Sequence, residues 1–144
     1  MKIWTIGFTK KTAEKFFSIL RGSGARRVVD VRLNNVSQLA GFAKRDDLKF
    51  FLKEICGMVY VHEPLLAPTQ DILDRYRKAK GDWREWEKEF SELIRKRKIE
   101  KAVEKETLEK ACLLCSEETP EHCHRRLVAE YLREKWRDVE IVHL

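Results

Sequence analysis

The chain has 144 residues, with 30 lysines and arginines against 24 aspartates and glutamates, which gives a formal net charge of +6. A length near 150 residues predicts one domain over residues 1–144, because two independent cores would each be unusually small. The hydrophobic fraction of 43% excludes a disordered chain. No apolar run approaches the roughly 18 residues that a membrane-spanning helix needs, so a membrane protein is not expected.

Charged residues make up 38% of the chain, whereas there are only two asparagines and two glutamines. This composition is typical of thermophilic proteins, in which ion-pair networks lose less free energy on heating. The first residues lack the apolar region and cleavage site of a secretory signal, so we expect a cytoplasmic protein. Four cysteines in a chain of this length do not indicate a disulfide scaffold.

Strands and helices alternate along the chain in the hydrophobic pattern. Short β-branched or apolar runs predict five strands, over residues 3–8, 27–32, 58–62, 111–115 and 140–144. Helical spacing of apolar residues predicts helices over about 12–21, about 46–55, much of the region between strands three and four, and from the capping sequence Thr119-Pro120-Glu121 to about 136.

This alternation implies right-handed crossovers and a mainly parallel sheet that is covered on both faces. We therefore predict a single three-layer α/β/α domain with a five-stranded, Rossmann-like sheet. In open parallel sheets, ligands bind beyond the carboxyl ends of the strands, near the place where the strand order reverses. Polar residues just past each predicted strand are the candidates for a functional site.

Asp30 and Arg32 stand at the end of the second predicted strand, among valines. A carboxylate in that position costs free energy unless it is paired, and Arg32, two residues on, points to the same side. One interpretation is a structural ion pair that ties the loop to the sheet. The other is a functional site in which Arg32 holds an anion.

The segment from Glu117 to Arg125 has the highest density of reactive side chains. Glutamate exchanges protons, cysteine attacks or ligates, histidine titrates near neutrality, and arginine binds anions with a bidentate fork. Structural interpretations compete with these roles. Cys123 lies on an apolar helical stripe and fits a core position equally well, and His124 fits a capping or packing role.

A redox pair formed by Cys112 and Cys115 is excluded, because residues three apart in a strand face opposite sides of the sheet. A zinc site formed by these two cysteines with Cys123 and either His122 or His124 meets the same objection, unless the strand end bends. No metal is therefore expected.

A cysteine-dependent phosphatase needs a phosphate-binding loop between its cysteine and its arginine. Cys123 and Arg125 are only two residues apart, so this mechanism is not predicted. The chain has neither a glycine-rich dinucleotide fingerprint nor a P-loop. No cofactor is predicted.

Several short motifs, spread over essentially the whole chain, resemble an uncharacterised family called domain of unknown function 488. They are Thr5-Ile6-Gly7-Phe8, Val29-Asp30-Val31-Arg32, Ser37, Phe42, Leu113-Leu114-Cys115-Ser116-Glu117, Cys123-His124-Arg125 and Val142-His143-Leu144. The resemblance implies a compact α/β domain with a site around these motifs, and it implies no particular reaction. The chain departs from the family pattern at Phe8 and Thr9, where a histidine and a serine are common.

The hypothesis that these observations favour is a site for an anionic, phosphate- or nucleotide-like small molecule. Four residues are predicted to bind the ligand: Thr5, Gly7, Arg32 and Arg125. Four are predicted to be catalytic if chemistry follows binding: Asp30, Glu117, Cys123 and His124. The alternatives are a nucleic-acid-binding or regulatory module with a basic surface, which the interleaved glutamates disfavour, and an interaction protein without a ligand. The pattern does not predict an oligomeric state.

Overall fold

The computed structural model describes residues 1–36, 40–78 and 81–144. Five parallel strands form one sheet in the order β3-β2-β4-β1-β5. The strands are β1 Lys2–Gly7, β2 Arg27–Asp30, β3 Val59–His62, β4 Ala111–Cys115 and β5 Glu140–His143. The predicted α/β class and five-stranded parallel sheet are confirmed.

Seven α-helices connect these strands within the described ranges. They are α1 Ala13–Ser23, α2 Arg45–Phe51, α3 Gln70–Lys78, α4 Trp83–Arg97, α5 Ile99–Ala102, α6 Lys105–Leu108 and α7 His124–Trp136. A π-helical turn, Leu52–Cys56, continues α2, and 3₁₀ turns lie at Gly41–Ala43 and Pro64–Leu66. Over the described part of the chain, no helix combines the length and the apolar character that a membrane crossing requires.

The two faces of the sheet carry separate apolar cores. On one face, α1 and α2 pack against the sheet through residues such as Phe16, Leu20 and Leu48. On the other face, α3 to α7 pack through residues such as Phe90 and Leu127. The neighbouring strands β2 and β4 are therefore followed by helices on opposite faces. This arrangement opens a crevice beyond their carboxyl ends, which is where ligands of open parallel sheets bind.

The first helix begins and ends where its sequence predicts. The Thr12 side chain accepts a hydrogen bond from the backbone N–H of Lys15, which satisfies one of the free N–H groups of the first turn. Gly24 follows the helix with φ +92°, a left-handed conformation that glycine adopts without strain. The capping residues thus set both ends of α1.

The predicted start of α7 at Pro120 is wrong, because the helix begins at His124. Pro120 instead opens a turn, in which its carbonyl accepts a hydrogen bond from the N–H of Cys123 at 3.3 Å. Cys123 has an extended backbone, with φ −139° and ψ 139°. A proline fits this turn as well as a first helical position, since both accept its fixed φ. The loop between β4 and α7 is consequently eight residues long, from 116 to 123.

The charged segment after α4 forms two short helices rather than one continuation of α4. Lys98 has a left-handed backbone with φ +52°, which ends α4. Ile99, Val103 and Leu108 are buried in the core of the α7 face. The segment thus covers one side of the sheet.

Gly7, the last residue of β1, lies directly against the loop that follows β4. A Cβ at this position would overlap the backbone carbonyl of Glu117 and would meet Arg125 Nη1 at 3.0 Å. The absence of a side chain therefore lets the loop approach the sheet.

Gly7→Ala is expected to destabilise the protein by about 1–3 kcal/mol or more, because the overlapping atom is backbone and cannot move without shifting the loop. Denaturant unfolding monitored by circular dichroism measures the change. Gly22→Ala is the matched control, since nothing lies within 4 Å of a Cβ there. Gly22 is the penultimate residue of α1, so that substitution is expected to stabilise by at most about 0.5–1 kcal/mol, the value for the middle of a helix. Equal effects at the two glycines would contradict this account.

Candidate functional site

A cavity of about 680 Å³ opens at the carboxyl ends of β2 and β4. Its polar wall comes from the segments that follow these two strands, and it includes Arg32, Asn34, Ser116 and Glu117. Its other walls contain two cysteines, two histidines and three large aromatic rings: Cys115, Cys123, His122, His124, Tyr76, Trp83 and Trp86. The volume is in the range of small-molecule sites in proteins.

Arg32 is held at this cavity by a buried, bidentate ion pair with Asp30. The Arg32 Nε and Nη2 atoms each donate to an Asp30 carboxylate oxygen at 2.8 Å, and the Arg32 backbone N–H donates to the same carboxylate at 3.1 Å. Asp30 is fully buried and Arg32 is 3% exposed. Parallel fork-to-carboxylate bonds of this kind fix the guanidinium plane as well as its position.

Two further contacts hold Arg32 in place and leave part of its guanidinium without a partner. The Arg32 backbone carbonyl accepts a hydrogen bond from His62 Nε2 at 2.9 Å, and its guanidinium lies over the Phe8 ring at 5.3 Å. Arg32 Nη1 is buried and has no hydrogen-bond partner among the described residues. A buried donor without an acceptor is costly, by about 1–3 kcal/mol.

Tyr60 completes the shell around the Asp30 carboxylate. Its hydroxyl donates to Asp30 Oδ2 at 2.6 Å and accepts from Asn35 Nδ2 at 3.1 Å. Burial, together with the hydrogen bond to Asp30, raises the pKa of Tyr60 well above its usual value. The hydroxyl therefore remains a donor at all working pH values. Asp30 is fully occupied in positioning Arg32.

Cys115 and Cys123 form a pair of buried thiols on the cavity wall with opposite acidities. A hydrogen bond from Cys123 lowers the pKa of Cys115, and the Ser116 backbone N–H and the Arg125 charge act in the same direction. Burial raises the pKa of Cys123, and its hydrogen bond to Cys115 raises it further. Cys115 is therefore the more acidic thiol of the pair, and Cys123 is the thiol that donates to it.

His124 connects this thiol pair to the end of β2. Its Nε2 atom lies 2.6 Å from the carbonyl oxygen of Val31. Because a carbonyl only accepts, Nε2 carries the hydrogen, and the other ring nitrogen, Nδ1, has a free lone pair. Nδ1 lies 3.5 Å from Cys115 Sγ. The donor atoms of Cys115, Cys123 and His124 all lie within 4.8 Å of one another, which is the arrangement of a candidate metal-ligand set.

Arg125 is a completely buried cation behind the loop that carries Glu117. Its Nη1 atom donates to the Glu117 carbonyl at 2.7 Å, while its Nε and Nη2 atoms have no hydrogen-bond partner among the described residues. No carboxylate pairs with it within the described part of the chain. Burial lowers the pKa of His143, and the Arg125 charge acts in the same direction. Arg125 thus places a buried positive charge near the carboxyl edge of the sheet.

An aromatic wall faces the polar side of the cavity. Trp83 stacks on Trp86 with ring centroids 5.0 Å apart, and it stacks on His122 at 5.1 Å with an angle of 19° between the planes. Tyr76 lies edge-on to Trp86. Phe90 also stacks on Trp86, so a planar ligand would meet the edges of these tryptophan rings or take the place of the exposed His122 ring.

Four of the eight residues predicted from sequence line this cavity together: Arg32, Glu117, Cys123 and His124. The other four lie behind the cavity wall or beside it. Asp30 holds Arg32, and Gly7 and Arg125 support the loop at Glu117. Thr5 is buried between strands, where its hydroxyl lies 2.6 Å from His143 Nδ1.

Cys115 is the most reactive of the cavity residues that the sequence-based site omitted, which also include the aromatic rings Tyr76, Trp83 and Trp86. The opposite orientation of Cys112 and Cys115 is confirmed, since Cys112 packs into the α1 face and Cys115 into the α7 face. A zinc site that added Cys123 and His122 or His124 was set aside together with the pair, although the orientation of Cys112 does not remove Cys115 from such a site. The available signal was its position as the last residue of a buried strand, where ligands bind in parallel sheets.

A comparison with protein families matches residues 12–132 to the model of the family described as Domain of unknown function DUF488. The chain belongs to this family. Comparisons with curated proteins and with solved structures found no match.

The DUF488 match contains most of the motifs that carried the resemblance. The segments that end β2 and β4 and the start of α7 all lie within it. In this DUF488 chain, those segments supply the polar wall and the thiols of one cavity. The Thr5–Phe8 and Val142–Leu144 motifs lie outside the matched range, and Ser37 lies outside the described residues.

Asp30→Asn is expected to destabilise the protein by about 3–5 kcal/mol, because it leaves the Arg32 charge buried without a counter-ion. Denaturant unfolding measures the loss. The control is Asp46→Asn, which removes the partner of Arg45 in an exposed pair with an Nε–Oδ1 distance of 3.0 Å, and it should change stability by no more than about 1 kcal/mol. A small effect at Asp30 would contradict the structural role assigned to this pair.

The pKa of the Cys115 thiol is expected to lie below its usual value, because Cys123 donates a hydrogen bond to it. In chelator-treated, reduced protein, the rate of Cys115 alkylation by iodoacetamide, resolved by peptide mass spectrometry, should therefore reach half its maximum at a lower pH than that of Cys56, whose pKa is raised by burial. Cys123→Ala removes the hydrogen-bond donor and should move the midpoint upward. Cys56→Ala, a half-buried cysteine on the other face, should leave it unchanged. An unmoved midpoint in Cys123→Ala would refute the pairing.

Proposed function

We propose that the cavity binds an anionic, nucleotide-like small molecule, with its phosphate at Arg32 and its planar ring on the aromatic wall. The unpartnered Nη1 atom of Arg32 carries this proposal. The Asp30 ion pair fixes the guanidinium but uses only two of its three nitrogen atoms. An anion in the cavity supplies the missing acceptor, and a charge-assisted hydrogen bond of this type is worth about 1.5–3 kcal/mol.

The electrostatics of the cavity edge support an anion rather than a neutral ligand. Asp30 neutralises Arg32, but Arg125 remains buried without a carboxylate partner in the described ranges. Its charge acts across a region of low dielectric constant, where electrostatic interactions are stronger than in water. The net charge of +6 has the same sign. Together, these charges favour the entry of a phosphate or carboxylate group.

The shape of the cavity supports a ligand that is partly aromatic. Trp83 and Trp86 form a stacked wall, and Arg32 lies on the polar side of the same cavity. A nucleotide or a similar phosphorylated ring satisfies both walls at once. The carboxylate of Glu117, exposed on this cavity, is the group that would exchange a proton with the bound ligand.

The described surface gives less support to nucleic-acid binding. Several basic side chains already pair with acidic ones, such as Arg75 with Glu89 and Lys105 with Asp138. Such pairing reduces the continuous positive potential that phosphate backbones need. Steeply salt-dependent retention on DNA or RNA would support this alternative.

Adenosine 5′-monophosphate is expected to bind chelator-treated protein, and adenosine should bind about tenfold or more weakly, because it lacks the group that pairs with Arg32. Isothermal titration calorimetry measures both affinities, and tryptophan fluorescence provides a second readout because Trp83 and Trp86 line the cavity.

The decisive variant is the double substitution Asp30→Asn with Arg32→Gln, which leaves no unpaired buried charge and is therefore less destabilising than either single change. This double variant should bind adenosine 5′-monophosphate no more tightly than it binds adenosine. Arg45→Gln with Asp46→Asn makes the same charge changes at an exposed pair and should bind like the wild type. Absence of saturable nucleotide binding to the wild type, or unchanged binding to the Asp30/Arg32 variant, would overturn the proposal.

A further inference from the structure

Cys115, Cys123 and His124 bring two sulfur donors and one nitrogen donor together at the inner wall of the cavity. Cys115 ends β4, Cys123 precedes α7, and His124 is the first residue of α7. Their donor atoms lie within 4.8 Å of one another, and all three side chains are buried. The fold therefore converges two chain segments on one small volume lined by soft ligands.

The spacing of these donors matches that of a tetrahedral zinc site. Zinc binds thiolate sulfur at about 2.3 Å and imidazole nitrogen at about 2.0–2.1 Å, so tetrahedral angles put the two donor atoms about 3.5 Å apart. The observed distance between Cys115 Sγ and His124 Nδ1 is 3.5 Å. Nε2 of the same ring lies 3.8 Å from Cys115 Sγ, so the sulfur is not in line with the Nδ1 lone pair, and the His124 ring or the Cys115 side chain would rotate when an ion binds.

The hydrogen bonding of the histidine is that of a metal ligand. Metal-binding histidines usually donate their second ring N–H to a carbonyl or carboxylate, which fixes the tautomer and the ring plane. His124 Nε2 has this contact with the Val31 carbonyl at 2.6 Å. Nδ1 is thereby the ring nitrogen that is left for an ion.

The geometry points to a binding site for Zn²⁺, with Cys115, Cys123 and His124 as its three protein ligands and a fourth position open to the cavity. Two thiolates and an imidazole prefer zinc to the hard cations Mg²⁺ and Ca²⁺, which favour oxygen ligands. Binding releases the two thiol protons to solvent, and the thiolate charges balance the ion. All three ligands line the cavity, so the remaining position faces its contents.

His122 is the neighbouring side chain that could close the fourth position, and its contacts favour an open site. Its ring is stacked on Trp83 at 5.1 Å, and it does not belong to the cluster of converging donor atoms within the described residues. Zinc sites with three protein ligands keep the fourth position for water or a ligand. The site therefore resembles a catalytic zinc centre in its ligand count. The ion needs only these three side chains, so this inference does not depend on the anion proposal.

Cobalt(II) is the probe for the ligand set, and it is added to reduced, chelator-treated protein in buffer without phosphate. One Co²⁺ per chain should produce the thiolate charge-transfer band and the visible bands of tetrahedral cobalt, and Zn²⁺ should displace it while Mg²⁺ should not. Cys115→Ser, Cys123→Ser and His124→Ala should each weaken binding by about 100-fold or more, which exceeds the effect of altering an outer-shell partner. Cys112→Ala, in the same strand but on the opposite face, should bind like the wild type.

A second measurement uses only the wild-type protein, so that it does not depend on the folding of a ligand variant. X-ray absorption at the zinc edge should show two sulfur scatterers at about 2.3 Å and the nearest nitrogen at about 2.0–2.1 Å. Absence of stoichiometric binding, a coordination shell without sulfur, or cobalt bands that survive both serine substitutions would overturn the site. Loss of the tetrahedral bands in His122→Ala would overturn the open fourth position.

These outcomes are separable from those of the nucleotide experiment, which uses chelator-treated protein. Zinc binding without nucleotide binding would leave the metal site standing and would remove the anion proposal. Nucleotide binding without stoichiometric zinc binding would support the anion proposal and would remove the metal site.

Discussion

The buried ion pair between Asp30 and Arg32 is the interaction on which the cavity depends. Both side chains are almost completely removed from solvent, so each requires the other to offset its cost of burial. Replacing such a pair by apolar residues is often neutral or stabilising, which means that stability alone does not require it. The pair instead holds the Arg32 guanidinium in one plane at the end of β2. Its Nη1 atom has no hydrogen-bond partner among the described residues.

The second constraint is the close approach of the β4–α7 loop to β1. The Glu117 carbonyl occupies the space that a side chain at Gly7 would need. The same carbonyl accepts a hydrogen bond from Arg125 Nη1. This contact directs the loop so that its polar and thiol groups lie opposite Arg32. Thus two segments separated by more than eighty residues form the two sides of one cavity. The parallel sheet makes this possible, because β2 and β4 are neighbours with their carboxyl ends together.

The fold and four residues of the candidate cavity were accessible from sequence because they depend on local patterns. Alternating strand and helix patterns predicted the parallel sheet, and the spacing of Asp30 and Arg32 predicted their pairing on one side of the strand. The start of α7 was not accessible, because Pro120 suits a turn and a first helical turn equally well. Its actual start places Arg125 in the first turn of α7.

Cys115 shows why the other residues of the cavity could not be predicted from sequence. Strand geometry correctly separated it from Cys112, but its partners come from the far end of an eight-residue loop. The path of that loop depends on Gly7 and on the buried Arg125, both of which are tertiary contacts. Local spacing has no information about such contacts. The sequence therefore predicted the edge of the sheet at which the site lies, but not its full set of residues.

We propose above that Arg32 Nη1 and the aromatic wall of the cavity bind the same anionic ligand. A crystal structure of the protein grown with adenosine 5′-monophosphate tests this claim most directly. The account predicts phosphate density within hydrogen-bond distance of Arg32 Nη1, about 2.7–3.2 Å, and the base against Trp83. Nucleotide density elsewhere on the molecule, with ordered water alone at Arg32, would contradict it.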